Sequence, residues 1–232
     1  MTLQLNGPRL PAASGKADRL VVFCHGYGAD GNDLIGLGQH WQRLLPTAAF
    51  VSPHAPERCA MSPMGYQWFG ITRLQPEEMQ RGVERAGPVL EAFVDAELKR
   101  LELDASRLAF VGFSQGTMMS LHVGLRRKVS PAAIVGFSGM LPGAEVLPQQ
   151  ATCRPPVLLV HGDADEVIPV QALFASANGL GAAGVGVHWH VSRGVGHGIA
   201  PDGLDLAGRF LADAFNGKRR NTPETAPLAL KV

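Results

Sequence analysis

Six short apolar runs punctuate the chain, and each closes on a glycine, an aspartate or a polar turn. They are RLVVFCHG at 19–26, AAFVSPHAP at 48–56, RLAFVGFS at 107–114, AAIVGFSG at 132–139, PVLLVHGDAD at 156–165 and VGVHWHVSRG at 185–194. Their Val, Leu, Ile and Phe content is nearly continuous, which predicts strands covered on both faces. Between them the period changes to that of a helix. In 76–101, Met79, Val83, Leu90, Val94, Leu98 and Leu101 recur at separations of 3, 4 or 7 and mark one apolar stripe. Pro88 is expected to kink or interrupt that helix near its middle. Segments 115–128, 169–180 and 202–215 also read as helices, the last through Leu204, Ala207, Leu211 and Ala214. Alternating strands and helices predict an α/β architecture, a mostly parallel sheet joined by right-handed crossovers.

No linker divides the pattern, so one domain is expected over 1–232, with its core at about 19–215. The segment 217–232, with two prolines and no period, is expected to be a mobile tail. The loop from Pro53 to Leu74 holds Met61, Met64, Trp68 and Phe69. That is too apolar for a merely solvated connection and predicts a functional loop.

Composition narrows the function. The 232 residues are 46% hydrophobic and 18% charged, the balance of an ordinary globular chain. Lys plus Arg is 21 against 20 for Asp plus Glu, so nothing draws the whole protein to nucleic acid. The longest apolar runs, LVVFC at 20–24 and VLLV at 157–160, fall far short of the ~20 residues of a membrane span. The N-terminal stretch lacks the apolar core of a signal peptide. Three cysteines, Cys24, Cys59 and Cys153, form neither a disulfide framework nor a metal clip. These features together predict a cytoplasmic protein with reduced thiols, whose function resides in a local site.

Two serines compete for that site, because Val-Gly-Phe-Ser occurs at 111–114 and again at 135–138. Ser114 stands in Gly112-Phe113-Ser114-Gln115-Gly116, a complete G-x-S-x-G between a predicted strand and a predicted helix. A nucleophile elbow turns so sharply there that side chains two residues before and after the serine would collide. Ser138 has its second glycine one place early, at 139, and Leu141-Pro142 opposes entry into a helix. Ser114 is therefore the expected nucleophile.

Partners follow in chain order. HGDADEVIP at 161–169 offers Asp163 and Asp165, and GVGHGIAPDG at 194–203 offers His197. Ser, acid, His is the chain order of α/β-hydrolases, and each candidate follows a predicted strand, where open α/β sheets build their sites. Pattern alone does not choose between the two aspartates. An oxyanion hole requires the backbone N–H of Gln115 and another from a glycine-rich loop, for which CHGYGADGND at 24–33 is the candidate. His188 and His190 alternate along a strand like a metal pair, but no third ligand accompanies them and no metal is expected. His25 and His161 read as structural.

HGYGADGND, PHAP, WF, GFSQG, FSGML, HGDADEVIP and VGHG, in that order, resemble the carboxylesterase, lysophospholipase and acyl-protein thioesterase family of α/β-hydrolases. The resemblance spans about residues 19–215. It implies an α/β-hydrolase fold with helices on both faces and no large lid domain, serine-based hydrolysis of a small-molecule ester, no cofactor, and a homodimer as an assembly the family often uses. It also implies Asp165 as the acid, Tyr27 and Gln115 as oxyanion donors, and Trp68, Phe69, Met64 and Val167 at the substrate groove. FSGML matches a strand end of the family, which accounts for the second serine without catalysis. The chain departs from the pattern in having Tyr27 where leucine is common and Gly70 where an aspartate often follows the aromatic pair. The alternatives are a serine peptidase or aminoacyl hydrolase with the same triad, and a non-catalytic binding module of the same fold.

Overall fold

The computed structural model describes residues 4–219, 221 and 226–227. Its centre is an eight-stranded sheet. In chain order the strands are β1 (Arg9–Leu10), β2 (Arg19–Cys24), β3 (Ala48–Val51), β6 (Leu108–Phe113), β7 (Ala133–Phe137), β8 (Val157–Gly162), β9 (Val187–Ser192) and β10 (Ala226–Pro227), with a small hairpin of β4 (Glu57–Arg58) and β5 (Tyr66–Gln67) set apart. The spatial order is β1-β3-β2-β6-β7-β8-β9-β10. Within this sheet only β1 pairs antiparallel; every other neighbouring pair is parallel.

Among the described residues six α-helices complete the fold: α1 (Gly31–Trp41), α2 (Pro76–Leu101), α3 (Gln115–Gly124), α4 (Leu147–Gln150), α5 (Gln171–Ala182) and α6 (Pro201–Phe215). Alternate residues of each central strand feed two cores. Val22, Phe110, Ile134 and Leu159 face one, with α2, α3 and α5; Val21, Val111, Val135 and Val160 face the other, with α1 and α6. Both faces of the sheet are thus apolar and covered, which is why the strand sequences read as unbroken hydrophobic runs.

The helix pattern agrees with expectation in position, with one correction. α2 runs from Pro76 to Leu101 without interruption, and Pro88 lies inside it. Burial of Met79, Val83, Leu90 and Val94 along one stripe outweighs the hydrogen bond that Pro88 cannot donate. Several short or glycine-rich elements escaped the pattern, among them β1, α4, β10, α1 and the hairpin β4–β5. α1 reads as loop because three of its eleven residues are glycine, and β4–β5 occupies only two residues per strand. Of the segment after Gly217, Arg219 lies over the Phe210 ring and Asn221 Nδ2 donates to Gly184 O at 3.0 Å. The rest of the expected mobile tail falls largely outside the described residues. Among the described residues no helix is long and apolar enough to cross a membrane, and no cluster of three or more His, Cys, Asp or Glu side chains could hold a metal. The three cysteines are free and buried.

Candidate active site

The site forms at the carboxyl ends of β2, β6, β7 and β8 and in the loop after β9. Ser114 joins β6 to α3 with φ 53° and ψ −116°, a positive-φ backbone that costs a non-glycine residue on the order of 1–3 kcal/mol. The flanking glycines explain how such a turn fits. A Cβ on Gly112 would overlap the backbone of Gly116, and one on Gly116 would overlap the carbonyl of Cys24 at the end of β2. α3 can lie against the strands only with both positions bare.

The second Val-Gly-Phe-Ser is part of the same construction. β7 pairs with β6 in register, Gly112 opposite Gly136 and Phe113 opposite Phe137. Ser114 N–H donates to Phe137 O at 2.9 Å. Thr117 Oγ1 lies 2.9 Å from both Gly112 O and Phe137 O, its one proton shared between them, so the first turn of α3 is pinned to both strands. Gly136 and Gly139 leave the space Thr117 occupies. Ser138 also has positive φ, at 46°, but its hydroxyl is buried and donates to Gly198 O at 3.2 Å. The echo in sequence is a pair of adjacent strands ending at one edge.

Asp165 and His197 meet. His197 Nδ1 lies 2.8 Å from Asp165 Oδ2, while Asp165 Oδ1 accepts the N–H groups of Val167 and Ile168, each at 2.9 Å. Burial alone would raise the Asp165 carboxyl; the hydrogen bonds from His197, Ile168 and Val167 outweigh it and hold the group below the ordinary carboxylate value. Asp163 is used elsewhere, accepting the Gly194 N–H at 2.6 Å on an exposed turn. Phe113 packs against the His197 ring with centroids 5.0 Å apart. The Ser114 hydroxyl, on a residue 8% exposed, makes no hydrogen bond to His197. Bonds of this kind commonly tighten only when substrate is present.

The loop after β2 approaches the serine closely: a Cβ on Gly26 would stand 3.4 Å from Ser114 Cβ. Among the described residues, neither the Tyr27 N–H nor the Gln115 N–H donates a hydrogen bond. Gln115 opens α3, so its N–H also carries the positive end of the helix dipole. His25 is neutral and satisfied. Burial pushes it down to about 4, Nδ1 lies 2.8 Å from Gly26 O, and Nε2 accepts the Ala55 N–H at 3.0 Å. His161 is also buried and structural, with Nε2 2.7 Å from Ile168 O. His188 and His190 do not converge on a metal: His190 Nε2 contacts Asp202 Oδ2 at 2.7 Å, and His188 packs edge-on to Phe210.

The four expected groove residues divide. Met64 and Val167 are open to solvent, at 82% and 52% exposure. Trp68 and Phe69 are both 0% exposed, so their side chains are packing groups here and not groove walls. The reason is that the 53–74 segment folds inward: Gln115 binds Trp68 N–H and Phe69 O, and Phe69 covers Gly82 of α2. Gly70, which follows the pair, opens onto a cleft of about 460 Å³ lined by Tyr27, Gln67, Ile71, Arg81 and Arg85, but not by Ser114 or His197. The part played by the Gln115 side chain is absent from the sequence expectations. Its only signal there is a long amide beside the expected nucleophile of an apolar strand-to-helix turn.

Comparison with known proteins agrees with this architecture. Residues 5–214 match the phospholipase/carboxylesterase family model. The crystal structure of esterase PE8 is 44% identical with a TM-score of 0.88, covering 91% of this chain and all of that one. Acyl-protein thioesterase 1 of Gibberella zeae is 31% identical over 217 residues, 87% of this chain and 92% of its own length. That of Neurospora crassa is 28% identical over 222 residues, 89% of this chain and 91% of its own. With a mostly parallel, helix-covered sheet and this match over most of its length, the chain belongs to the phospholipase/carboxylesterase family of α/β-hydrolases and is a carboxylic ester hydrolase.

Proposed function

We propose that the protein hydrolyses carboxylic esters, thioesters included, through an acyl-enzyme formed on Ser114. The observation that carries this reading is the 2.8 Å contact of His197 Nδ1 with a buried, ionised Asp165, in a structure where Ser114 holds a strained elbow at the same sheet edge.

In the first half-reaction His197 Nε2 takes the proton of Ser114 as Oγ bonds to the substrate carbonyl carbon. The carbonyl electron pair moves onto oxygen, and the N–H groups of Tyr27 and Gln115 hold the resulting oxyanion. Asp165 fixes the ring with Nδ1 protonated and stabilises the imidazolium that forms. The intermediate collapses, the bond to the leaving oxygen or sulfur breaks, and His197 returns the proton to it as the alcohol or thiol departs. Water then repeats the sequence at the acyl carbon, with His197 as base, and releases the carboxylic acid and free Ser114.

Ser114, Asp165 and His197 are the triad in this reading, with Tyr27 and Gln115 as the oxyanion donors. Exposed Met64 and Val167 supply apolar surface for the acyl or alcohol portion. Chain pairing into a homodimer belongs to the same proposal on family resemblance. A cytoplasmic setting belongs to it as well, supported by three free, buried cysteines.

Ser114→Ala tests it. Turnover of an aryl acetate should fall by about 10³-fold or more, and a fluorophosphonate should label the parent chain at Ser114 and not the variant. Near-normal turnover in the variant would overturn the assignment. A panel of esters and thioesters of graded acyl length, read as kcat/KM, identifies the preferred class.

A further inference from the structure

The two N–H groups assigned to the oxyanion come from different elements. Tyr27 belongs to the loop after β2, and Gln115 is the first residue of α3. Their separation must be held within a few tenths of an ångström, since misplacement by about 1 Å can cost on the order of 10² in rate. The backbone between Cys24 and α1 does not fix it alone, because Gly26 and Gly28 lie on either side of Tyr27.

A buried chain of hydrogen bonds joins the two donors. The Gln115 side chain uses both ends of its amide: Oε1 accepts the Trp68 N–H at 2.9 Å, and Nε2 donates to Phe69 O at 2.8 Å. Trp68 reaches on to the other donor's loop, where its indole Nε1–H donates to His25 O at 3.0 Å. His25 is held in turn through Ala55 N–H and Gly26 O. Gln115, Trp68 and His25 are each 0% exposed. In such a site every polar atom depends on its partner, and loss of one leaves the other unsatisfied.

The His25 carbonyl belongs to the peptide joining His25 to Gly26, directly before the peptide whose N–H is that of Tyr27. A donor on that carbonyl fixes the orientation of the loop where it passes Ser114. The residue that supplies this donor is anchored through its own backbone N–H, and through the carbonyl of Phe69, to the side chain of Gln115, whose backbone N–H is the second member of the hole.

We propose that Trp68, clamped by the Gln115 side chain, is a positioning strut that sets the spacing and orientation of the two oxyanion donors. Trp68 acts through the backbone of His25 to Tyr27 and does not touch the substrate. The inference rests on the proposed mechanism in taking the Tyr27 and Gln115 N–H groups as the oxyanion donors.

Two variants test the strut at separate joints. Trp68→Phe removes the indole N–H and keeps an aromatic ring. Gln115→Met removes both clamp bonds while keeping the chain length and the backbone N–H. Each is assayed for kcat and KM on an aryl ester, and for inhibition by a trifluoromethyl ketone that forms a tetrahedral adduct on the serine. In both, kcat should drop by about 10- to 100-fold with KM within about threefold of the parent. Affinity for the ketone should fall in proportion to kcat/KM, because ketone and transition state use the same hole. Retention of full ketone affinity alongside reduced kcat/KM would overturn the strut, as would unchanged kcat in both variants. If Trp68→Phe does not fold, Gln115→Met decides alone on the same readouts. Failure of the triad reading is separable, since it would appear in the parent chain as absence of fluorophosphonate labelling at Ser114.

Discussion

The Ser138 hydroxyl donates to the carbonyl of Gly198 at 3.2 Å, one residue past His197. The serine that resembles the proposed nucleophile in sequence therefore braces the loop carrying the proposed base. Ser138→Ala should leave fluorophosphonate labelling at Ser114 intact and lower kcat by about 2- to 10-fold, the worth of one hydrogen bond of about 0.5–1.5 kcal/mol. Labelling at Ser138, or a collapse of turnover equal to that of Ser114→Ala, would reverse the roles of the two serines.

Asp165→Asn probes the acid with little change of shape. Its retained oxygen can still accept from Val167 and Ile168, as Oδ1 does now. The amide NH₂ would then face His197 Nδ1, which needs an acceptor to stay protonated there. The wrong tautomer should cost about 10²–10⁴ in kcat with the melting temperature nearly unchanged. Asp163→Asn, on the exposed turn at Gly194, is the matching control and should keep most of the activity.

Much of this arrangement is legible in the sequence because it is enforced by contacts between neighbouring elements. Five of the six strand runs are apolar on both faces since two cores need them; the sixth, β9, alternates Val187, Trp189 and Val191 with His188 and His190. Gly112 and Gly116 are readable because overlapping backbone leaves no alternative at the elbow. α1 is not legible for the opposite reason: its glycines weaken helix propensity, and their justification is tertiary, with a Cβ on Gly38 meeting the Phe50 ring and one on Gly31 the Ser52 carbonyl. Trp68 and Phe69 show a second limit. Aromatic residues in a loop near the site predict apolar contact, but only the fold shows that Gln115 and Gly82 draw them inward.

The glycines themselves give opposite expectations at two positions. Gly116→Ala would drive a Cβ into the Cys24 carbonyl, backbone against backbone, so folded, active protein should be lost or severely reduced in yield. Gly36, inside α1, has nothing within 4 Å of the place an alanine methyl would take. Gly36→Ala should therefore raise stability by about 0.5–1 kcal/mol, measured by urea unfolding, with activity unchanged. A destabilised Gly36→Ala would show that α1 needs flexibility there.

Two buried histidines give the fold an acid limit with a defined sign. Burial pushes both His25 and His122 down to about 4, against about 6.5 in an unfolded chain. Between those values the unfolded state binds more protons, so stability is complete above about pH 6.5 and declines as the pH falls toward 4. At 1.36 kcal/mol per unit, each histidine contributes on the order of 3 kcal/mol to that decline. The two differ in environment. His25 Nε2 accepts from Ala55, whereas His122 Nδ1 has no hydrogen-bond partner among the described residues. Replacing His122 by leucine removes an unsatisfied buried atom along with the titrating group. His122→Leu should change stability at pH 7.5 little, yet clearly flatten its fall between pH 6.5 and 4.5 in urea titrations. An unchanged slope would mean that His122 becomes accessible to protonation without unfolding.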